Sequence, residues 1–580
     1  MLRKFHVIDI SLIFLVFSLL FVGYFHPINA MTQDLGRHLL LGEIITQTGQ
    51  VPKTNLFSYT YPDFPFINTH HLSEVIFFII FSAFGSTTLL VVMTILMLIA
   101  YMLLVYGAKR FTKNVALISA ASIIYLPILF ERTDLRPEIF SFLLTAIFVV
   151  LLFRYREKFT PFIFALIPLE ILWTNLHIYF PIGLILIGLF FLDAIVKNQK
   201  NILSKPVLVL LLVLTGTSIG TLINPNGLSG ALYPLHVFDN YGYAIEENQN
   251  IFFLQSLGFQ KPSFPYFIIA VPLLWFSLFL TLRKSRLIDW LLAVIFTVLA
   301  LSAVRNFPLF VFATFIPFVY SASLLYEKLS KTRMIANKRF KILAVILVMG
   351  ILLLQIKGIV AKKGIGAKEV AGAKNAASFF EQNHLRGPIF NNFDIGGYLI
   401  YRFYPKERVF VDGRPEGYPK EFFQNTYIPM QQDEAVFAKQ DEKYHFNTIF
   451  FSHTDQTPWA AAFLKSIVNN SHWRVVYLDD TAVILVKNTE ENKAIINRFS
   501  QTNKRPKVSH LNKQKLHSLL QLAHFFNTVG WTEAEIKTYQ DILKLDPKNC
   551  PVLYNLGTVY AQQQNSAASI LAQRYRANCQ

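Results

Sequence analysis

Apolar residues come in long runs along the first two thirds of the chain, broken by short polar stretches. Eleven runs stand out, at 8–26, 87–108, 115–130, 138–153, 161–176, 178–196, 207–223, 265–282, 288–304, 307–326 and 341–356. A helix that crosses a bilayer needs ~20 residues, range about 17–25. The shorter runs must therefore draw polar flanks into their ends. The pattern predicts an α-helical polytopic bundle of about eleven transmembrane helices over residues 1–360. Two further apolar stretches, Leu35–Thr48 and Leu72–Phe84, are too short to cross. Both fall in the first outer loop, 28–86, and are expected to lie on the membrane face. Gly85 follows the second as a helix cap.

Basic residues give the threading. Lys109, Arg110, Arg154, Arg156, Lys197, Lys200, Arg283 and Lys284 fall in every second loop, with Arg3 and Lys4 before the first run. The intervening loops carry few, among them Arg37, Arg132, Arg136 and Arg305. Under the positive-inside rule the N-terminus is cytoplasmic, and an odd number of spans places everything beyond ~360 outside. The expected location is the cell (plasma or inner) membrane. The first run could instead be a signal peptide, but Ile28 fits poorly the small-x-small cleavage pattern ending near Ala30.

From about residue 361 charges and turn signals become frequent. Strands are expected at Pro388–Phe393, Arg408–Val411, Asn447–Phe451, Trp473–Leu478 and Ala482–Val486, the last two joined by an Asp479-Asp480 turn. Interleaved helical segments make 361–495 a small extracytoplasmic α/β domain. Residues 496–514 are polar and are expected as a linker. In 515–580, Leu519, Leu522, Ala523 and Phe526 return 34 residues later as Leu553, Leu556, Gly557 and Tyr560. That kernel, closed by Asp546-Pro547, resembles the tetratricopeptide repeat and implies a helical hairpin array offering a protein-binding surface. The two cysteines, Cys550 and Cys579, fall in its second unit, where an antiparallel hairpin would bring them together for a disulfide.

Composition agrees with this reading. Of 580 residues, 53% are hydrophobic and 16% charged, against about 25% charged in a soluble domain. The net charge of +18 sits between apolar runs, as cytoplasmic loops require, so no nucleic-acid partner is expected.

The polar clusters then fall on one side of the membrane. Asp34, Arg37 and His38 follow the first run; His70, His71 and Glu74 close the first outer loop. Arg132 and Arg136, His177, Glu246-Glu247 and Arg305 stand at outer ends of later runs. Ionisable groups near membrane depth are costly and usually have a role, so the convergence points to one extracytoplasmic site. Asp34 could also cap the helix starting at Leu35, and the arginines could anchor at the lipid interface. His71 and Glu74, three apart, share a helix face, which leaves a metal open.

An Asp in the first outer loop, surface helices after it and many spans resemble the GT-C class of membrane glycosyltransferases. Further motifs match bacterial members of that class: Gly49-Gln50-Val51-Pro52, Phe57-Ser58-Tyr59, His71-Leu72-Ser73-Glu74, Arg136-Pro137-Glu138, Asn392 through Tyr398, and Val411-Asp412-Gly413-Arg414. The resemblance implies sugar transfer from a polyprenyl-phosphate-linked donor to an outer acceptor, a glycan, lipid or protein. Many members have two adjacent acids in the first outer loop; here Leu35 and Gly36 follow Asp34. Asp34 is then the candidate general base. Arg132, Arg136 and Arg305 are candidates for the donor phosphate. A lipid-linked-sugar transporter, flagged by Glu170 and Asp193 inside runs, and a non-catalytic assembly scaffold are the other classes in view.

The threading is testable. Protease added outside intact spheroplasts should remove the chain beyond about residue 360; complete protection of that part would reverse the orientation.

Overall fold

The computed structural model describes residues 2–27, 34–239, 241–331, 337–367, 372–502, 506–510 and 516–579. Each apolar run is helical in it, including Leu2–Tyr24, Val115–Leu129, Glu138–Glu157 and Leu287–Ser302. Among the described residues, six helices are long and apolar enough to cross a membrane. The remaining apolar helices are shorter, so length alone does not settle the expected count of eleven. Several crossings make this a multi-pass membrane protein. Val304–Leu329 is the bundle's centre, with 72% of its apolar window buried by protein. Lys338–Lys363 is buried over only 6% of its window and packs peripherally on Leu2–Tyr24 and Val115–Leu129. Asp193, one of the acids inside a run, is answered by Arg156 at 2.6 Å and by the Ile288 backbone amide at 3.1 Å.

The first outer loop folds back over the bundle. Leu35–Thr48 is a helix, and His71–Ala108 is two helical stretches joined at Gly85, where φ is 79°. That left-handed value is one a glycine adopts freely. The Leu35–Thr48 helix is pressed between the outer stretch and a helix of the distal domain, Phe393–Phe403. At Gly36 a Cβ would lie 2.7 Å from Tyr401 Cβ, so only glycine permits this approach. Two short helices, Gly227–His236 and Ile251–Ser256, occupy a polar stretch for which the apolar pattern predicts nothing.

The distal sheet has four strands, β1 (Ile389–Asn391), β2 (Thr448–Ser452), β3 (Trp473–Leu478) and β4 (Ala482–Lys487), in the order β1-β2-β4-β3. β1 and β2 are parallel; β4 runs antiparallel to both neighbours. The strand expected at Arg408–Val411 does not join this sheet. Its backbone partner is the first outer loop, where Tyr59 donates to the Val409 carbonyl (3.2 Å) and Val409 to that of Phe57 (3.1 Å). The expected linker 496–514 begins inside a helix, Lys493–Phe499. Its Gln501 and Ser509 amides bond to Val475 and Leu478 of β3; residues 503–505 and 511–514 lie outside the described residues.

Beyond it come two helical hairpins, Leu516–Val529 with Thr532–Leu545 and Cys550–Gln562 with Ala567–Cys579. Leu519, Ala523, Leu553 and Leu556 of the repeated kernel share one core. Leu522 and Phe526 pack instead into the core of the α/β domain, which gives an incomplete array a wall to lean on. Cys550 and Cys579 are bonded, with Cα atoms 5.7 Å apart.

A buried charge pair fastens the outer loop to the distal domain. Arg414 chelates Asp412 through two 2.7 Å bonds and donates to Asn55 Oδ1 at 2.6 Å. Both charged side chains are essentially inaccessible. Breaking such a pair strands a charge and costs about 3–5 kcal/mol. Arg414→Ala should therefore lower the unfolding midpoint of the detergent-solubilised protein and open the junction to limited proteolysis. A midpoint and digest equal to wild type would remove this contact from the account.

Candidate functional site

The loops at one end of the bundle and the underside of the distal domain enclose a cavity of about 660 Å³. Of the candidate residues, Asp34, His38, His70, Arg132, Arg136, His177 and Arg305 line it. His71, Glu74 and Glu246 do not. Glu74 is buried behind the wall, accepting from Asn68 at 2.6 Å and paired with His38 Nδ1 at 2.8 Å. Glu246 turns outward to Lys261 at 2.6 Å.

Asp34 stands at the N-cap position of Leu35–Thr48 but makes no side-chain bond to the helix backbone. Its carboxylate faces Arg37 at 3.4 Å and Arg136 at 3.5 Å. A plain capping role therefore does not account for it. Burial pushes the carboxyl up; the Arg136 and Arg37 guanidiniums overcome this and hold it below the usual range. Asp34 is ionised at neutral pH.

Of the Glu246-Glu247 pair, Glu247 is the one that reaches the site. It lines the cavity and accepts from Arg136 at 2.9 and 3.1 Å and from Arg132. Arg132 also chelates Glu138 at 2.6 and 2.9 Å. Burial opposes ionisation of Glu247, but Arg132 and Arg136 win and hold its carboxyl far below the ordinary value. In sequence the adjacent glutamates read alike. They part because a single 3-10 turn, Glu246–Asn248, points them in different directions.

Arg305 is held differently. Its Nε donates to the Tyr179 hydroxyl and its Nη1 to Asn248 Oδ1, both at 2.8 Å. Among the described residues no carboxylate lies within ion-pairing distance of it. Its charge is thus positioned by neutral groups at the cavity wall. His38 and His70 add no charge: burial, then neighbouring cations or histidines, lowers both. The cavity is also lined by Tyr233, Pro234, Val237 and Phe238, of which Phe238 is largely exposed. Guanidiniums and apolar side chains thus share one cavity.

A second cavity of about 330 Å³ adjoins the first. Asp34, Arg136, Ile245, Glu247 and Gly413 line both and so form the partition. Its far side is Asp394, Gly397, Ser452, Thr454 and Thr481 of the distal domain. Asp394 is exposed to this cavity. Burial, then Asp455 and Asp34, raises its carboxyl to about 7.

Among the described residues no group of three or more His, Cys, Asp or Glu is placed to hold a metal ion. Asp34 and Glu247 each already face two guanidiniums, and Glu74 is used by His38 and Asn68.

No family model matches the chain, and no curated protein does. Solved structures do. The chain is similar to the archaeal oligosaccharyltransferase AglB from Archaeoglobus fulgidus in complex with an inhibitory peptide and a dolichol-phosphate. The TM-score is 0.55 at 12% identity, covering 94% of this chain and 86% of that one. It is also similar to the Archaeoglobus fulgidus enzyme tethered to an acceptor peptide (0.53, 11%, covering 93% and 86%) and complexed with Zn and sulfate (0.55, 11%, covering 92% and 86%). The fold is therefore that of the archaeal oligosaccharyltransferase over nearly the whole chain. At this identity the likeness is one of fold.

Asp394 gives a pH prediction. Its folded pKa of about 7 lies above its ordinary 3.8, so the fold binds this proton more tightly than the unfolded chain. Its contribution is complete below about pH 3.8 and is lost as pH rises through 7. Asp394→Asn should flatten the fall in unfolding midpoint between pH 5 and pH 8; an unchanged slope would contradict the assignment.

Proposed function

We propose that the protein is a membrane glycosyltransferase that moves a sugar from a polyprenyl-phosphate-type donor to an extracytoplasmic acceptor, with Asp34 as general base. The observation that carries this is one cavity lined both by Asp34 and Arg305 and by the apolar Pro234, Val237 and Phe238. An amphiphile with an anionic head and a hydrocarbon tail matches that polarity. The archaeal relative, bound to a dolichol-phosphate, holds a ligand of this kind on the same fold.

The residues divide the work. Arg305, with no carboxylate in contact, receives a phosphate at low cost in broken ion pairs. Guanidinium suits a leaving phosphate through forked hydrogen bonds and a permanent charge. Arg136 is the second phosphate ligand. In the resting site it is shared between Asp34 and Glu247; a phosphate competes with both. Its withdrawal from Asp34 removes the cation that most depresses that carboxyl. Arg132, tied to Glu138 and Glu247, holds Glu247 in place behind Arg136. The acceptor oxygen then attacks the anomeric carbon, and the sugar–phosphate bond breaks with its electron pair left on the phosphate. The acceptor proton passes to Asp34. Charge building on the phosphate oxygen is met by fixed cations. The chain's own guanidiniums fill the electrostatic role, so the reaction is proposed to proceed without a divalent ion.

The helical hairpins at the C-terminus add a second proposed role. Their kernel and stacking support a tetratricopeptide-like surface that binds a partner protein.

Loss of a general base costs about 10²–10⁴-fold in rate. Asp34→Asn should lower sugar transfer from lipid-phosphate donors by that factor at normal protein level, and EDTA should leave the wild-type rate unchanged. Full activity in Asp34→Asn would remove the base, while inhibition by EDTA reversed with added metal would restore an ion to the site.

A further inference from the structure

The second cavity bears on what the acceptor is. It belongs to the distal domain as much as to the membrane bundle, and among the described residues it shares Asp34, Arg136, Ile245, Glu247 and Gly413 with the first cavity. A nucleophile that gives its proton to Asp34 while the donor phosphate sits on Arg305 must approach from this side. The walls then select it by their chemistry. Ser452 and Thr454 are hydrogen-bonded to each other at 2.9 Å, and Thr481 lines the cavity beside them. Asp394 lines it as well, on the first turn of Phe393–Phe403. Asp455, behind it, is occupied by the Asn392 side chain at 3.0 Å and the Thr457 amide at 2.9 Å. Hydroxyls that both donate and accept, next to carboxyl groups, are complementary to a second set of hydroxyls. Among the described residues Arg136 is the cavity's one basic lining residue, and it is shared by two carboxylates. A second anionic group would find little there.

Size and backbone argue further. At about 330 Å³ the cavity is at the small end of small-molecule sites, about 300–1,000 Å³. Peptides are commonly held by adding a strand to a sheet edge. The backbone of 409 is already paired with the first outer loop. Among the strands, only the end residue of β2, Ser452, lines this cavity.

Resting on the glycosyltransferase reading above, we propose that this cavity is the acceptor site and that it takes a polyhydroxylated ring, the terminal sugar of a glycan or glycolipid, rather than a peptide. Asp394 and Thr454 bind the ring's hydroxyls and aim one of them at Asp34. The raised carboxyl of Asp394 suits this, since near neutral pH it is present both as donor and as acceptor. Protein that closes around a neutral polyol breaks no ion pair, whereas a charged ligand would have to displace one of those already in place.

Saturation-transfer NMR on the full chain in detergent micelles tests this without a donor. The probes are a panel of methyl hexopyranosides and inositol, with a tetrapeptide at equal concentration. At least one polyol should give a signal that disappears in both Asp394→Asn and Thr454→Val and persists in Arg305→Lys. The proposal is overturned by no polyol signal, by a signal that survives either cavity substitution or vanishes in Arg305→Lys, or by a peptide signal lost in their place. Because no lipid donor is present, such a failure alongside Asp34-dependent sugar transfer would sink the acceptor class and leave the transferase reading standing. Absence of transfer with an intact polyol signal would do the reverse.

Discussion

One guanidinium shared by two carboxylates organises this site. Arg136 reaches Glu247 at 2.9 Å and Asp34 at 3.5 Å. Ions taken out of water are tolerated only when paired, so neither acid can be held so close to the bundle's outer end without a cation. Arg132 and Arg37 complete the set by taking the remaining faces of Glu247 and Asp34. Only Arg305 is left to neutral partners. The consequence is a resting site that is balanced except at one position, where an anion gains most. In the proposed reaction a phosphate arriving there perturbs the shared guanidinium next, which couples donor binding to the basicity of Asp34 through a contact of a few ångströms.

The cluster exists only because distant pieces of chain are brought together. Asp34 follows the first membrane helix, Arg136 the loop before a later one, and Glu247 a 3-10 turn more than a hundred residues on. Gly413, whose Cβ would lie 3.1 Å from Asp34, comes from the distal domain. Three devices fix that domain over the bundle. They are the Arg414–Asp412–Asn55 network, the backbone pairing of Phe57 and Tyr59 with Val409, and the glycine contact of Gly36 on Tyr401. Each joins the first outer loop to the domain. This explains why motifs far apart in the chain are parts of one structure.

Much of this was legible in the sequence, because bilayer solvation writes itself into composition. Each apolar run is a helix; Leu35–Thr48 is a helix of its own; Gly85 is a break within His71–Ala108; the Cys550–Cys579 pairing follows from hairpin geometry. Asp34, Arg132, Arg136 and Arg305 were identifiable because they stand at membrane depth or against the charge bias, and they line one cavity. What was not legible depends on side-chain direction or on long-range pairing. Glu246 and Glu247 differ only in which way a short turn points them. Val409 has strand character, but its partner lies 350 residues earlier. The polar segment after the Lys493–Phe499 helix looks like a linker, yet its Gln501 and Ser509 amides bond to β3. Asp394 looks like a helix-start acid, and only the closing of the domain over the bundle makes it part of a cavity.

The central claim is that a lipid phosphate takes Arg136 away from Asp34. The most direct measurement is a cryo-electron microscopy structure of the full chain in nanodiscs with added polyprenyl phosphate. The account predicts phosphate density bridged by Arg305 and Arg136, its hydrocarbon chain along Tyr233 and Phe238, and a lost Arg136–Asp34 contact. Phosphate bound elsewhere, or bound with Arg136 still against Asp34, would contradict it.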